Sequence, residues 1–257
     1  MGRSRASLRR ERQMSAFGAQ RDSVEQIRAQ RELIRPLLVP DDPADAMTAY
    51  YALSHDPRRV RLTLHRTPTG RVDGFLAVCQ TGRDLFVPVL VMRASEHDVD
   101  DLLYGALVPS RPHTLVTLPA LSESVQAAVI VDKQQVNRIY ELDVSSFRPV
   151  INVMVQPGQS AFRYEIHTQG RVVAAAGVNW RSAHLADMYV YTEQGFKGRG
   201  WGKAVGAACV RDLLAARIRP LYTVSEDNLA SLRLAESLGF QDSGAREFEC
   251  LVRLGQS

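Results

Sequence analysis

The chain has 257 residues, 45% of them apolar and 23% charged, and a formal net charge of +4. This length allows one large domain or two small ones with a sizeable core, and the composition rules out disordered and collagen-like chains. No run approaches the roughly 18 apolar residues that a membrane-spanning helix needs, so a soluble protein with no membrane partner is expected.

Residues 1–21 hold Arg3, Arg5, Arg9, Arg10, Arg12 and Arg21 against Glu11 alone, so the positive excess sits in a leader and the remainder is nearly neutral. The leader lacks the apolar stretch of a secretory signal. Charge gathered in a tail rather than on a face of the fold gives no reason to expect a nucleic-acid partner. A disordered basic tail over 1–21 is expected. Beyond it, Val24, Ile27, Leu33, Ile34 and Leu37 form a helical stripe within 22–38, and a second helix is expected over 44–53. A meander of three strands follows at 60–64, 72–79 and 86–92, turned at Pro68-Thr-Gly70 and at Thr81-Gly82. A helix at 99–107, a strand at 113–118, a helix at 121–130 and a strand at 136–142 complete the first half.

The pattern restarts after residue 148. Strands are expected at 163–168, 172–180 and 185–192, then a glycine loop, then a helix over 203–217 with Val205, Cys209, Leu213 and Ala216 on one face. A buried strand at 221–225, a helix at 230–238 closed by Gly239 and a strand at 248–254 end the chain. Both halves read βββαβαβ. The fold class is therefore α/β with mixed sheets, in two domains, 22–148 and 149–257.

The chemistry concentrates in the segment that runs from Met188 through Thr192, Lys197, Gly198, Arg199, Gly200, Trp201 and Gly202 to Lys203, a strand entering a helix through glycines at alternate positions. Bare backbone N–H groups at a helix N-terminus favour a phosphate or pyrophosphate, with Lys197 and Arg199 as countercharge; a tight turn that needs glycine is the simpler alternative. The spacing matches neither the Walker loop nor the Gly-x-Gly-x-x-Gly of dinucleotide folds.

Read together with the downstream segment Glu226-Asp-Asn228-Leu-Ala-Ser231 and its ending Leu238-Gly-Phe240, this loop resembles the GNAT superfamily of N-acyltransferases. Lys197, Gly200 and Gly202 stand at the three defining places of that family's glycine motif, although Lys197 replaces its Gln or Arg. The resemblance covers residues 150–254. It implies a GNAT fold, with acetyl-CoA or another acyl-CoA as co-substrate. Main-chain groups of Met188, Tyr189 and Val190 would pair with the pantetheine arm, and the N–H groups of residues 197–203 would hold the pyrophosphate. Asn228 would bond the arm, and an N–H at a bend of the 185–192 strand would polarise the thioester carbonyl.

The implied activity is direct transfer of the acyl group, within a ternary complex, to a primary amine on a small molecule or a peptide. Asp187, Glu226 and His184 are candidate bases. Many members place a general-acid Tyr seven residues after the motif Asn, where this chain has Ala235, leaving Ser231, Tyr222 or water to protonate the thiolate. A non-catalytic acyl-CoA sensor or assembly module is the rival reading. The first half has no glycine in the turn Arg93-Ala-Ser-Glu-His-Asp98, so the whole chain resembles tandem GNAT proteins with a degenerate first domain. Cys79, Cys209 and Cys250 form no Cys-x-x-Cys pair and the six His no ligand cluster, so a cytoplasmic protein without a metal is expected, as monomer or homodimer.

Overall fold

The structure, a computed structural model, describes residues 23–81, 84 and 86–255. The expected tail over 1–21 and the Gly82 half of the expected Thr81-Gly82 turn lie outside them. Contacts divide the chain into two units. Among described residues, the first contains 23–40, most of 48–135, and 247–255, and the second contains 41–47 and 136–246. The line drawn at 148/149 from element order alone therefore does not follow the contacts.

In the first unit, helix α1 (Val24–Ile34) starts at Ser23, whose Oγ accepts from Gln26 N while the Gln26 side chain accepts from Ser23 N. This reciprocal cap satisfies two backbone donors that the helix start would leave bare. Helix α2 (Pro43–Ala49) falls across the division and runs on into a π turn, Tyr50–Ser54. Strands β1 (Val60–Arg66), β2 (Val72–Cys79) and β3 (Val89–Arg93) form the expected antiparallel meander. The third strand begins at Val89 rather than Phe86. Helix α3 (Val99–Ala106) then crosses to β4 (His113–Thr117), which lies parallel to β3. Helix α4 (Ser122–Ala128) leads into the long strand β5 (Ile130–Leu142). Leu76, Leu90, Met92, Leu103, Leu115 and Val252 are among the buried centre of this unit.

The second unit repeats the plan with β6 (Val155–Pro157), which the sequence reading lacks, β7 (Tyr164–Thr168), β8 (Arg171–Arg181) and β9 (Leu185–Thr192). Helix α5 (Trp201–Ala215), strand β10 (Arg219–Ser225), helix α6 (Leu229–Ser237) and strand β11 (Phe240–Arg253) follow. Its core lies between the sheet and the two helices, where Val205, Cys209, Val210 and Leu213 of α5 meet Met188, Tyr222 and Phe240.

Each half gives its last strand away. Within the first unit β4 pairs antiparallel with Phe248–Val252 of β11, the end of the chain. Within the second, β10 pairs antiparallel with Asn137–Glu141 of β5, the end of the first half. The unit division consequently falls inside β5 and inside β11. No helix among the described residues is long and apolar enough to cross a membrane.

Candidate functional site

The second unit contains a fork between two parallel strands. β9 and β10 are in register only over Arg219 with Leu185, Pro220 with Ala186 and Leu221 with Asp187. Beyond Asp187, β9 continues to Thr192 paired to β8 alone, so the edge of Met188–Thr192 that faces β10 has no strand partner in that register. Parallel neighbours that separate in this way leave main-chain donors and acceptors for an extended ligand.

Asp187 clasps the fork. It is 4% exposed, its Oδ1 accepts from Thr223 N at 3.1 Å and its Oδ2 from Asn179 Nδ2 at 2.7 Å. Asn179 reaches it because β8 carries an extra residue there: Val178 faces Met188 and Trp180 faces Asp187. The irregularity expected in the 185–192 strand thus lies on its neighbour β8. Two residues along, Tyr189 Oη accepts from Arg163 at 2.6 Å. Gly177 makes room for this ring, since a Cβ there would lie 2.8 Å from Tyr189 Oη.

At the open end, β9 passes through the helical turn Gln194–Phe196 into the glycine loop. Gly198 and Gly200 have φ of +78° and +75°, which side chains with a Cβ rarely adopt, and a Cβ at either would meet nothing within 4 Å. The loop therefore leaves its backbone open rather than packed against neighbouring side chains. Gly202 serves a different end: a Cβ there would lie 2.9 Å from Thr192 Oγ1, so its absence lets α5 begin tight against β9. Gly200 caps the 15-residue α5 without a side chain, and Ala204 N is the first amide to bond back, to Gly200 O. The preceding N–H groups are the unsatisfied donors of a helix start. Among the described residues Lys197, Arg199 and Lys203 have no carboxylate partner, so the loop carries uncompensated positive charge.

Asn228 caps α6, its Oδ1 accepting from Ser231 N at 3.2 Å and its own N donating to Ser225 O. The cap uses the side-chain oxygen and leaves the amide NH2 outward. Ser231, half-buried in the first turn of α6, lies near enough to the Tyr222 hydroxyl to act on its ionisation, in the lowering direction. Tyr222 is buried against Phe240, with ring centroids 5.8 Å apart, in the same cluster as Ala235. Burial first of all raises the Tyr222 pKa, so its hydroxyl keeps its proton.

Glu226 is held elsewhere. Its Oε1 accepts from Arg138 Nε at 3.2 Å and Arg246 Nε at 3.1 Å, and both arginines also reach Asp242. Its carboxylate is the anion of an ion-pair network, separate from the clasp at Asp187. His184 is exposed just before β9 begins, at the end of the strand opposite the glycine loop. All three cysteines are buried and unpaired, and burial pushes each thiol up to about 12, which removes them as nucleophiles near neutral pH.

The structure thus gathers Asp187, Met188, Tyr189, Val190, the glycine loop, Asn228 and Ser231 around one pair of parallel strands. Sequence reasoning overlooks Asn179, Thr223 and Arg163. Only the bulge at Asn179, which leaves no mark in composition or periodicity, brings the first of these to the site.

The GNAT acetyltransferase family model matches residues 158–247. No curated protein matches. Among solved structures, a GCN5-related N-acetyltransferase-like protein from Streptococcus suis 89/1591 aligns over 87% of this chain and 99% of its own, with TM-score 0.61 and 15% identity. A GCN5-related N-acetyltransferase from Kribbella flavida covers 82% and 96%, with TM-score 0.59 and 14% identity. A tandem GNAT protein from the clavulanic acid biosynthesis pathway covers 93% and 98%, with TM-score 0.55 and 14% identity. At such identities these structures speak for the fold. The chain has the GNAT fold, and its residues 158–247 match the GNAT acetyltransferase family model.

Proposed function

We propose that the second unit binds an acyl-CoA, acetyl-CoA in the first instance, and transfers its acyl group directly to a primary amine on a small molecule or peptide. The observation that carries this reading is the continuity of the β9/β10 fork with an open, cationic glycine loop at a helix start. An extended arm ending in a pyrophosphate needs both, in that order.

In this reading the free edge of Met188, Tyr189 and Val190 pairs with the pantetheine amides, and the N–H groups of residues 198–203 hold the pyrophosphate with Lys197 and Lys203 beside them. The Asn228 NH2 donates to the arm while its oxygen keeps the α6 cap. The amine nitrogen attacks the thioester carbonyl, a C–N bond forms, and collapse of the oxyanion breaks the C–S bond. A main-chain N–H on the fork edge of β9 stabilises that oxyanion. The nitrogen gives its proton to water, and the departing thiolate takes one from Ser231, which is reprotonated from water; Tyr222 nearby supplies the hydroxyl that Ala235 lacks. Asp187 acts as a positioning residue, since both its oxygens already accept hydrogen bonds that set the fork. Glu226 takes no part as a base, being paired with two guanidiniums.

Calorimetry with acetyl-CoA, followed by turnover against a panel of primary amines, tests the proposal. Binding with thiol release on adding an amine is expected. Binding without transfer to any amine would favour the sensor reading, which Ala235 makes the natural second choice, and no binding would remove both.

A further inference from the structure

Next to the glycine loop stands an assembly that a simple strand-to-helix turn does not need. The rings of Phe196 and Trp201 stack with centroids 5.3 Å apart and planes 20° apart. The guanidinium of Arg199 lies 5.1 Å from the Phe196 centroid and 5.3 Å from that of Trp201. Arg171 also lies over Phe196, at 5.8 Å, but it is paired with Glu193 at 3.3 Å. Arg199 has no carboxylate or carbonyl partner among the described residues.

A guanidinium within about 6 Å of a ring face is attracted by the ring's quadrupole without giving up its N–H donors to another acceptor. The stack therefore does two things. It fixes the direction of a long exposed side chain and leaves its donor fork unspent. A fork of that kind matches a phosphate monoester, which offers two or three oxygens in one plane and carries more charge than a bridging diester. The backbone amides of residues 198–203 already serve one phosphate group, and Arg199 sits within the same loop.

We infer that Arg199, held by Phe196 and Trp201, is a specificity determinant for a phosphomonoester on the nucleotide end of the acyl donor, the 3′-phosphate of CoA. The inference rests on the acyl-CoA reading above and adds to it a distinction between CoA and 3′-dephospho-CoA that the glycine loop alone would not make. Arg171, neutralised by Glu193, braces Phe196 and does not bind the phosphate.

The test is calorimetric titration of the full chain with CoA and with 3′-dephospho-CoA, using the wild type, Arg199→Gln and Arg171→Gln. The wild type should bind CoA at least about tenfold more tightly than dephospho-CoA, in line with the loss of one bidentate charge-assisted contact. Arg199→Gln should abolish the preference, weakening CoA much more than dephospho-CoA, which loses only the general attraction of one loop charge, while Arg171→Gln keeps the preference. Because Arg199 is exposed, thermal unfolding of Arg199→Gln should match the wild type. Equal affinities in the wild type, a preference that survives Arg199→Gln, or a preference lost only in Arg171→Gln would each overturn the inference while leaving the acyl-CoA reading intact. Failure of the wild type to bind either ligand would overturn that reading as well, and is distinguishable from all of these.

Discussion

Thr223 N donates to Asp187 Oδ1 at 3.1 Å, two residues beyond Leu221, the last residue of β10 paired with β9. One carboxylate therefore holds the amide that would otherwise be the first unpaired donor of the fork. It holds Asn179 on the other side as well.

Asp187→Ala should leave two part-buried donors without acceptors and cost about 2–4 kcal/mol of stability, toward the low end of the one to three that each fully buried unsatisfied group costs. Asp187→Asn keeps an acceptor for Thr223 but turns an NH2 toward that of Asn179, so its loss should be smaller. Urea unfolding measures both, and acetyl-CoA affinity should fall in the same order. Equal stability of Asp187→Ala and wild type would dispose of the clasp.

Gly202→Ala separates helix propensity from packing. Alanine favours a helix over glycine by about 1 kcal/mol, yet here its Cβ would lie 2.9 Å from Thr192 Oγ1 and 3.5 Å from Val190 Cγ1. We expect a net destabilisation of about 1–2 kcal/mol from overpacking, relieved when Thr192→Ala is added. A double-mutant cycle with no coupling would contradict the contact.

Gly200→Asp places a carboxylate among the open amides of the cationic loop, whereas Gly70→Asp meets similar backbone strain at a plain hairpin turn, with φ of +87° and nothing within 4 Å. Both should lose stability by about 1–3 kcal/mol. Only Gly200→Asp should weaken acetyl-CoA binding, by about a hundredfold or more through repulsion of the pyrophosphate. Parallel titrations of the two variants decide it.

Two histidines of the first unit act on opposite sides of neutrality. His65 lies between Asp73, 2.7 Å from Nδ1, and Asp98, 3.4 Å from Nε2. The hydrogen bond to Asp73 first, and the charges of Asp98, Asp73 and Asp101, raise its pKa. Its stabilisation is thus complete below the unfolded value of about 6.5 and is lost as pH climbs through the higher folded value. His113 is buried, and desolvation above all lowers its pKa to about 4. The unfolded chain takes up that proton first, so stability falls as pH drops from about 6.5 toward 4. His65→Gln should flatten the alkaline side of a stability profile and leave the acid side. A profile unchanged above neutrality would refute the ion-pair role.

The equivalent parallel pair in the first unit is bridged by a hydroxyl and followed by acids. β3 and β4 are parallel over Val89–Val91, and just beyond, Thr117 Oγ1 donates to Met92 O at 3.2 Å. The loop that follows carries Glu96 and Asp98 before α3, and Asp98 is bonded by Ser95. An acidic loop repels phosphate. A titration with acetyl-CoA should therefore saturate at one equivalent per chain, and two equivalents would show the first gap open.

Strand β9 was legible to the residue because apolar and polar positions alternate between two clear turn signals. The two longest strands, β5 and β11, were not. Lys133, Gln134 and Gln135 in β5, and Gln241, Asp242 and Gly244 in β11, are exposed and read as loop, since those parts of the strands cover no core. Helix α5 starts two residues earlier than the apolar stripe suggests, because the positive φ of Gly200 rather than hydrophobicity sets its first turn. At the site, the order and spacing of glycines and Asn228 carried the reading. The partners of Asp187 and Glu226 did not, because they come from β5, β8, β10 and β11, and registers between strands distant in sequence leave no local trace.

The exchange of last strands has a consequence for dissection of this chain. A cut at 148/149 would look innocuous by sequence, between two copies of one plan. It would strip β11 from β4 and β5 from β10, exposing in each fragment the edge of an interior parallel strand rich in branched apolar residues. Such fragments should aggregate when made singly and recover solubility when made together. Each half should then need the strand that the other supplies in order to fold.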